Sequence, residues 1–185
     1  MPVYVGLVRA VNLAGKNMLS MSGLRELMAR LGMSDARTLL QSGNVVFRSD
    51  IRSPAKVEKL LEDSVEQRLG LKTAFFVRTV DDMNAVVADN PFPREAKEDP
   101  GHLVVGFLKD APDRAAVTAL QKAIVGREVV RAVGRHTYVV YPDGIGRSKL
   151  SVALIEKKLG TRGTGRNWNT VLKLGALAAG CDERE

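Results

Sequence analysis

The residues whose chemistry best suits ligand binding lie in a glycine- and arginine-rich segment near the end of the chain. This segment reads GTRGTGR at Gly160–Arg166 and is followed by NWNT at Asn167–Thr170, where a helix is predicted to begin. Glycine lets the backbone approach a bound group closely, and arginine forms charge-assisted hydrogen bonds with phosphates and carboxylates. Unpaired N–H groups and the positive end of the helix dipole add to this attraction. The pattern therefore predicts a loop that binds an anion.

An ordinary helix start explains the same residues equally well. Thr164 or Asn167 then caps the helix, while Trp168 and Val171 pack inward. The spacing matches neither G-x-x-x-x-G-K-[ST] nor G-x-G-x-x-G, so the segment contains no named nucleotide motif. Both interpretations stay open at this level.

Three further polar segments are candidates for ligand contact. A second glycine-rich turn, 143–149, follows a predicted strand and carries Arg147 and Lys149, which could face the same ligand. In the first half, the loop Asn12–Asn17 and the turn Gln41–Asn44 hold amides at strand ends, where ligand contacts tend to collect. Turn chemistry alone also accounts for these segments.

Other chemistries have less support. His102 and His136 have no carboxylate or cysteine at metal-ligand spacing, so we expect no metal and no cofactor. The run Ser53–Lys56 formally matches a serine–lysine nucleophile pattern, but serine followed by proline is typical of a helix N-cap. A single cysteine and the lack of a leader pattern or a membrane-length apolar run favour a soluble cytoplasmic protein without membrane contact.

The positive charge is concentrated in one part of the chain. The 185 residues are 45% hydrophobic and 26% charged, which is typical of a globular protein, and the net charge is +7. The segment from Arg127 to Lys173 contains ten lysines and arginines but only three carboxylates. Its excess of positive charge equals that of the whole chain. Because this segment also holds the glycine-rich loop, the distribution favours an anionic partner.

The first half predicts the element order β-α-β-β-α-β. This is the order of a ferredoxin-like unit, in which both helices cover one face of an antiparallel sheet. Ser53 before Pro54 predicts a helix start, and Gly32 and Gly70 predict left-handed helix ends. The predicted strands are Val3–Val8, Arg37–Gln41, Asn44–Arg48 and Thr73–Val80, with helices over Met21–Leu31 and Pro54–Leu69.

The second half repeats that order after a break. A helix over Asp81–Ala88, opened by a capping box from Thr79 to Asp82, is followed by a proline-rich linker at Asn90–Gly101. Then come strand Leu103–Leu108, helix Pro112–Val125, strands Glu128–Val133 and Thr137–Tyr141, and helices Ser151–Leu159 and Asn167–Ala179. The last helix stands where a final strand is expected. We predict an α+β fold of two ferredoxin-like (βαββα-type) halves, 1–80 and 102–185, joined by 81–101, with an extra C-terminal helix.

Three stretches together resemble a known family. They are Val5–Asn17, Leu40–Phe47 and Arg166–Val171, and with them the chain resembles the bacterial domain of unknown function 1697 over nearly its whole length. In the first stretch, Ala10 and Ala14 replace two glycines of the family pattern Leu-Arg-Gly-Ile-Asn-Val-Gly-Gly-Lys-Asn. The resemblance implies paired ferredoxin-like units, a cytoplasmic setting and no assigned activity, and it supplies no catalytic residues.

The stretches that carry the resemblance coincide with the polar loops, so we expect Asn12–Asn17, Gln41–Asn44 and Arg162–Asn169 to converge. The leading hypothesis is a binding protein for a phosphorylated or polyanionic ligand, a nucleotide or RNA, seated on the glycine-rich loop and the helix N-terminus. One alternative is an enzyme acting on a phosphate-bearing small molecule, although no general base is evident. Another is an interaction module for an acidic protein. The predicted ligand-binding residues are Arg9, Asn12, Lys16, Asn17, Gln41, Ser42, Asn44, Arg147, Lys149, Arg162, Arg166, Asn167, Trp168 and Asn169.

Overall fold

Eight strands form two four-stranded antiparallel sheets in the part of the chain that the structure, a computed structural model, describes: residues 1–9, 19–40 and 43–182. The chain divides into unit 1, Met1–Asn84 with Lys173–Glu185, and unit 2, Ala85–Leu172. Each unit holds one sheet with the strand order of a ferredoxin-like fold. The predicted α+β class with two ferredoxin-like halves is therefore confirmed.

Unit 1 follows the predicted order closely. Its sheet has the order β2-β3-β1-β4. The side chain of Ser53 accepts a hydrogen bond from the Lys56 N–H, and Gly70 ends the helix with φ 63°, as predicted. Thr79 and Asp82 bond reciprocally at 2.9 and 3.0 Å, which confirms the capping box. The elements are β1 (Val3–Val8), α1 (Met21–Arg30), β2 (Ser34–Thr38), β3 (Asn44–Arg48), α2 (Pro54–Leu69), β4 (Phe75–Thr79) and α3 (Val80–Ala88).

The core of unit 1 lies between its sheet and helices α1 and α2. Leu24 and Met28 of α1 and Leu61 and Val65 of α2 are fully buried against one face of the sheet. Burying each such side chain stabilises the fold by roughly 1.5–3 kcal/mol. The apolar stripes that predicted these helices therefore also fix their position.

Unit 2 repeats the arrangement, with sheet order β6-β7-β5-β8. Leu120 of α5 and Leu159 of α6 pack with Leu108, Val130 and Val139 against one face of this sheet. Short 3-10 helices lie at Pro100–His102 and Ile145–Arg147. The other elements are α4 (Pro93–Glu98), β5 (Leu103–Leu108), α5 (Arg114–Ala123), β6 (Val129–Val133), β7 (His136–Val140), α6 (Val152–Leu159), β8 (Gly163–Asn167) and α7 (Trp168–Asp182), whose last residues belong to unit 1.

Several predicted elements were wrong. The predicted loop that ends at Arg166 is largely strand β8, which completes the second ferredoxin-like unit. The predicted linker at Asn90–Gly101 contains α4 and a 3-10 helix, because two of its prolines, Pro93 and Pro100, stand at helix starts, where a missing N–H costs nothing. Strand β2 begins at Ser34, three residues before the predicted start.

The outer edge of β4 is blocked by side chains of the same unit. Edge strands carry unpaired peptide groups that invite pairing with other chains. The N–H groups of Phe75 and Val77 donate to Glu62 and Glu58 of α2, at 2.9 and 2.8 Å. The carbonyl of Val77 accepts a hydrogen bond from Arg78 Nη1 at 3.0 Å. The N–H of Val77 is thus bound by a helix carboxylate, and its carbonyl is bound by the following arginine.

Strand β6 in unit 2 carries the same arrangement. The N–H of Val130 donates to Gln121 Oε1 of α5 at 2.8 Å, and its carbonyl accepts from Arg131 Nη1 at 3.3 Å. Again a helix side chain and the following arginine satisfy the outward N–H and carbonyl of one strand residue. These contacts protect the first half of the β6 edge from pairing with another strand.

Arg48 at the end of β3 binds both ends of the described chain. Its Nη1 donates to the carbonyl of Met1 at 3.2 Å, and its Nη2 donates to the carbonyl of Cys181 in α7. The residue is only 8% exposed. Because a buried charge needs hydrogen-bond partners, these carbonyls stabilise the guanidinium, while the guanidinium satisfies a carbonyl in the last turn of α7.

Candidate functional site

The glycines of β8 lie close against side chains of the neighbouring strand β5. A Cβ added to Gly163 would lie 2.7 Å from Leu108 Cδ2 and 3.3 Å from the carbonyl oxygen of Phe107. A Cβ added to Gly165 would lie 3.0 Å from Val104 Cγ1. These glycines therefore allow close packing between β8 and β5, which explains their presence without a bound phosphate.

The side chain of Arg166 bonds to its own strand. Its Nη1 donates to Thr164 Oγ1 and to the carbonyl of Gly165, both at 2.8 Å. Burial lowers the pKa of Arg166 to about 10. The guanidinium thus folds back over the β8 edge, as Arg131 does on β6, and part of its hydrogen-bonding capacity is taken up by the protein itself.

The start of α7 is capped from within. Asn167 Oδ1 accepts a hydrogen bond from the Thr170 N–H at 3.0 Å. Trp168 and Val171 are buried, while Asn169 is exposed. Of the two interpretations that the sequence left open, the ordinary helix start with Asn167 as its cap accounts for these contacts.

Arg162 and the 143–149 turn lie at opposite ends of the unit 2 sheet. Strand β8 runs antiparallel along β5, so Arg162 lies just past the last residue of β5 and Asn167 lies beside its start. The turn follows β7 near that start, where the Tyr141 N–H donates to the His102 carbonyl at 2.9 Å. At about 3.3 Å per residue, β8 separates Arg162 from that end by roughly 16 Å. Arg162 and the cations of the turn therefore do not form one compact seat, whereas Arg166, paired with Val105, lies near the same end of the sheet as the turn.

The turn itself is partly charge-compensated. Asp143 pairs with Arg127, with 3.0 Å between Arg127 Nε and Asp143 Oδ2. That hydrogen bond, the charge of Arg127 and, to a lesser degree, the charge of Arg147 hold the pKa of Asp143 below its usual range. Arg147 and Lys149 are exposed, as is Arg162. Contact between these three cations and a ligand stays a prediction.

Glu128 anchors the turn on its buried side. Its Oε1 accepts a hydrogen bond from Ser148 Oγ, which accepts one from the Leu150 N–H at 3.0 Å. Glu128 is 9% exposed, and Tyr141 beside it is 5% exposed. The turn therefore has a fixed backbone from which its cations project.

The pKa of each of the three tyrosines is raised in the folded protein. Burial, and secondarily the charges of Asp89 and Glu128, raise the pKa of Tyr138 and Tyr141 to about 12. Burial also raises the pKa of Tyr4. Tyr138 and Tyr141 should therefore add no tyrosinate absorbance near pH ~10, where unfolded tyrosine titrates.

The sign of the accompanying stability change follows from linkage. A raised tyrosine pKa means that the folded state keeps its proton, so stability is lost as pH rises from about 10 towards 12. The lowered pKa of Arg166 acts in the opposite direction over the same range and offsets part of this loss. A phenol that titrates near pH ~10 in the native protein would contradict the burial of that side chain.

Asp99 orients the His102 ring. The distance between Asp99 Oδ2 and His102 Nδ1 is 2.8 Å. Both side chains are largely exposed, so the pair is a surface contact, and the enzyme alternative stays a prediction.

Unit 1 brings two predicted residues to one end of its sheet. Arg9 follows β1, and its N–H donates to the Ala74 carbonyl at 2.9 Å. Asn44 is fully buried, and its Nδ2 donates to the Leu39 carbonyl at 3.1 Å, which braces the β2–β3 connection. Because the other predicted residues of this half lie outside the described part of the chain, the convergence of the three polar segments stays a prediction. Those residues are Asn12, Lys16, Asn17, Gln41 and Ser42.

An uncompensated cationic site lies between α5 and β6. We call this concavity, of about 550 Å³, the α5–β6 groove. Arg114, Lys122 and Arg131 line it, and none of its lining residues is acidic. Val117 and Val130 contribute apolar wall. The groove thus combines positive charge with apolar surface in one open concavity.

Arg131, which lines this groove, is held by two contacts. Besides its bond to the Val130 carbonyl, its guanidinium carbon lies 5.9 Å from the centroid of the Phe92 ring. Cation–π contact of this kind holds a guanidinium without neutralising it. The positive charge of Arg131 therefore stays available to a ligand.

Sequence reasoning missed the groove, although one signal was present. Arg114, Thr118 and Lys122 recur every four residues and therefore share one face of α5. The same spacing is common on solvated helix faces, so by itself it does not indicate a binding site. It becomes informative only together with Arg131 from the next strand. A concavity of about 410 Å³ in unit 1 differs in having Glu26 beside Arg30 and Arg68.

The described part of the chain holds neither a metal-binding cluster nor a membrane-spanning helix. Over residues 1–9, 19–40 and 43–182, no group of three or more His, Cys, Asp or Glu could hold a metal ion. Among the described helices, none is both long and apolar enough to cross a membrane.

The fold and the groove define an α+β protein of two ferredoxin-like units with a cationic concavity in the second. The chain belongs to the family described as "Protein of unknown function (DUF1697)", whose model matches residues 1–138. Its fold is similar to that of the conserved bacterial protein SP0830 from Streptococcus pneumoniae, with 23% sequence identity and a TM-score of 0.75, over 96% of this chain and 98% of that chain. No curated protein matches the chain. The family resemblance seen in the sequence is confirmed.

Proposed function

We propose that the protein binds a phosphorylated or polyanionic ligand, such as a nucleic acid or a phosphorylated small molecule, in the α5–β6 groove. The observation that carries this proposal is the placement of Arg114, Lys122 and Arg131 around one concavity without an acidic lining residue. Clefts lined by one sign of charge concentrate ligands of the opposite sign. The cations of the 143–149 turn are a weaker basis, because Asp143 is paired there.

The spacing of the cations suits an extended ligand. Arg114 and Lys122 stand eight residues apart on α5, which corresponds to about 12 Å along the helix axis. Two phosphates of a nucleic acid strand, or two carboxylates of an acidic peptide, span such a distance when they are not adjacent. A single inorganic phosphate reaches only one end of the groove, so it should bind much more weakly than a chain of anions.

Binding of a short labelled single-stranded RNA, measured by fluorescence anisotropy, should depend on the groove cations and on salt. With about three phosphate contacts, the affinity should fall about 20-fold between about 50 and 200 mM salt. The double variant Arg114→Glu/Lys122→Glu should bind at least about tenfold more weakly, because each reversal replaces an attraction with a repulsion. Inorganic polyphosphate and nucleotides serve as competitors.

A matched control separates the groove from net charge. Lys157 and Lys158 are exposed in the last turn of α6 and do not line the groove. Lys157→Glu/Lys158→Glu makes the same change in total charge and should leave most of the affinity intact. An equal loss in both double variants would exclude the groove, and absence of binding to RNA, polyphosphate and acidic peptide at low salt would remove the proposal.

A further inference from the structure

Strand β6 presents an outward peptide group to the groove at Ala132. The N–H of Val130 donates to Gln121 and not to β7, and its carbonyl accepts from Arg131, so both backbone groups of Val130 point away from β7. Residues two apart on an antiparallel strand have the same orientation, so the N–H and carbonyl of Ala132 also point outward. Ala132 lines the α5–β6 groove. The groove therefore offers one donor and one acceptor side by side on its strand wall.

That pair matches the backbone of another strand. An antiparallel neighbour exchanges both hydrogen bonds with such a residue, whereas a phosphate could accept from the N–H but would leave the carbonyl unsatisfied. No aromatic residue lines the groove, so it has no platform on which bases could stack. The backbone groups of Ala132 and the lack of aromatic residues in the lining both favour a peptide over RNA.

The cations fit the periodicity of an extended chain. Ala132 lies on the same sheet face as Val130, which packs in the core beneath α5, because residues two apart share a face. A peptide residue opposite Ala132 would point to the same side, together with the residues two before and two after it. The outer two of these three are about 13 Å apart at about 3.3 Å per residue, close to the roughly 12 Å between Arg114 and Lys122 along α5.

We infer that the anionic ligand of the α5–β6 groove is an extended acidic segment of another polypeptide, which adds to β6 opposite Ala132. Acidic residues four positions apart contact Arg114 and Lys122, and the central residue exchanges backbone hydrogen bonds with Ala132. This inference rests on the proposed function, since it names the class of polyanion that occupies the same groove. Backbone pairing supplies affinity and the charge spacing supplies specificity.

A labelled peptide with the central sequence Glu-Val-Thr-Val-Glu tests this arrangement directly in an anisotropy titration with the full chain. Methylation of the central threonine nitrogen removes one backbone donor without changing charge or side chains, and it should weaken binding roughly three- to tenfold. A peptide of the same composition with adjacent glutamates should also bind several-fold more weakly. Arg114→Glu/Lys122→Glu should reduce binding of the parent peptide at least about tenfold.

Amide hydrogen exchange locates the contact independently of any variant. The Ala132 N–H, which faces outward in the free protein, should exchange more slowly when the parent peptide is bound, because it then donates to the peptide backbone. A ligand held only by the groove cations leaves that exchange rate unchanged. This measurement therefore keeps strand addition testable even if a charge-reversal variant fails to fold.

The outcomes separate this inference from the proposed function. Equal binding of the parent and N-methylated peptides, with unchanged Ala132 exchange, would overturn strand addition and leave the groove as a simple anion site. Binding of RNA without binding of the peptide would assign the groove to nucleic acid, so the inference fails while the proposed function stands. If neither the RNA nor the peptide binds at low salt, both the inference and the proposed function are wrong.

Discussion

Replacing Glu58 with alanine is expected to lower the free energy of unfolding by about 3–5 kcal/mol, the range for breaking a buried ion pair. Glu58 is 6% exposed and Arg78 is fully buried, with 3.7 Å between Glu58 Oε1 and Arg78 Nη1. The same carboxylate accepts the Val77 N–H at 2.8 Å. Its removal leaves a buried guanidinium without this counter-charge and an edge N–H without this acceptor. Chemical denaturation of the purified protein measures the effect.

Glu62 provides the matched control for this experiment. It stands one turn further along α2 and accepts the Phe75 N–H at 2.9 Å, but it is only half-buried. Glu62→Ala should therefore cost only about 1–2 kcal/mol. The double variant Glu58→Leu/Arg78→Met should be less destabilised than Glu58→Ala, because it removes both buried charges. Similar losses for Glu58→Ala and Glu62→Ala would show that the ion pair contributes little.

Gly163→Val is expected to destabilise the protein by about 2–3 kcal/mol, because overpacking a filled site forces neighbouring groups to move. The new Cβ would lie within 2.7 Å of Leu108 Cδ2, and the backbone carbonyl of Phe107, 3.3 Å away, cannot easily shift. Thermal unfolding followed by circular dichroism gives the size of the loss. At temperatures where the variant is folded, its affinity for groove ligands should equal that of the natural protein.

Gly175→Ala is the opposite case within the same chain. Gly175 lies inside α7, and a Cβ added there meets nothing within 4 Å. Alanine in a helix interior is favoured over glycine by about 0.5–1 kcal/mol, so this variant should be slightly more stable. If Gly163→Val kept full stability but abolished anion binding, the segment would be a ligand loop and its packing role would be wrong.

The sequence predicted helices more reliably than glycine-rich strands, for a physical reason. Apolar spacing identified α1 and α2, because one buried stripe per helix is enough to define each of them. Strand β8 has the composition GTGRN, and glycine has low intrinsic preference for strands. Its conformation is decided by pairing with β5 and by the close approach that its glycines allow, and neither is visible in local sequence.

The candidate site was harder to predict, because its parts are distant in sequence. Sequence reasoning favoured cations next to glycines, but Arg166 bonds to Thr164 and to the backbone. The uncompensated cations come instead from a helix face and from the following strand. Arg114 lies outside the segment with the cationic excess, which begins at Arg127. Only the packing of α5 against the edge of the sheet brings these side chains into one groove.

The contacts of Arg48 have a consequence for the order in which the protein folds during synthesis. Unit 1 combines the first 84 residues with those from Lys173 onward, and Arg48 bonds to carbonyls of both Met1 and Cys181. Unit 2 is continuous in the chain, so all its parts leave the ribosome before the end of α7 does. Because domains fold as their residues emerge, unit 2 can complete its contacts first. The half that is translated first is therefore the last to be finished, when its final helix turn reaches Arg48.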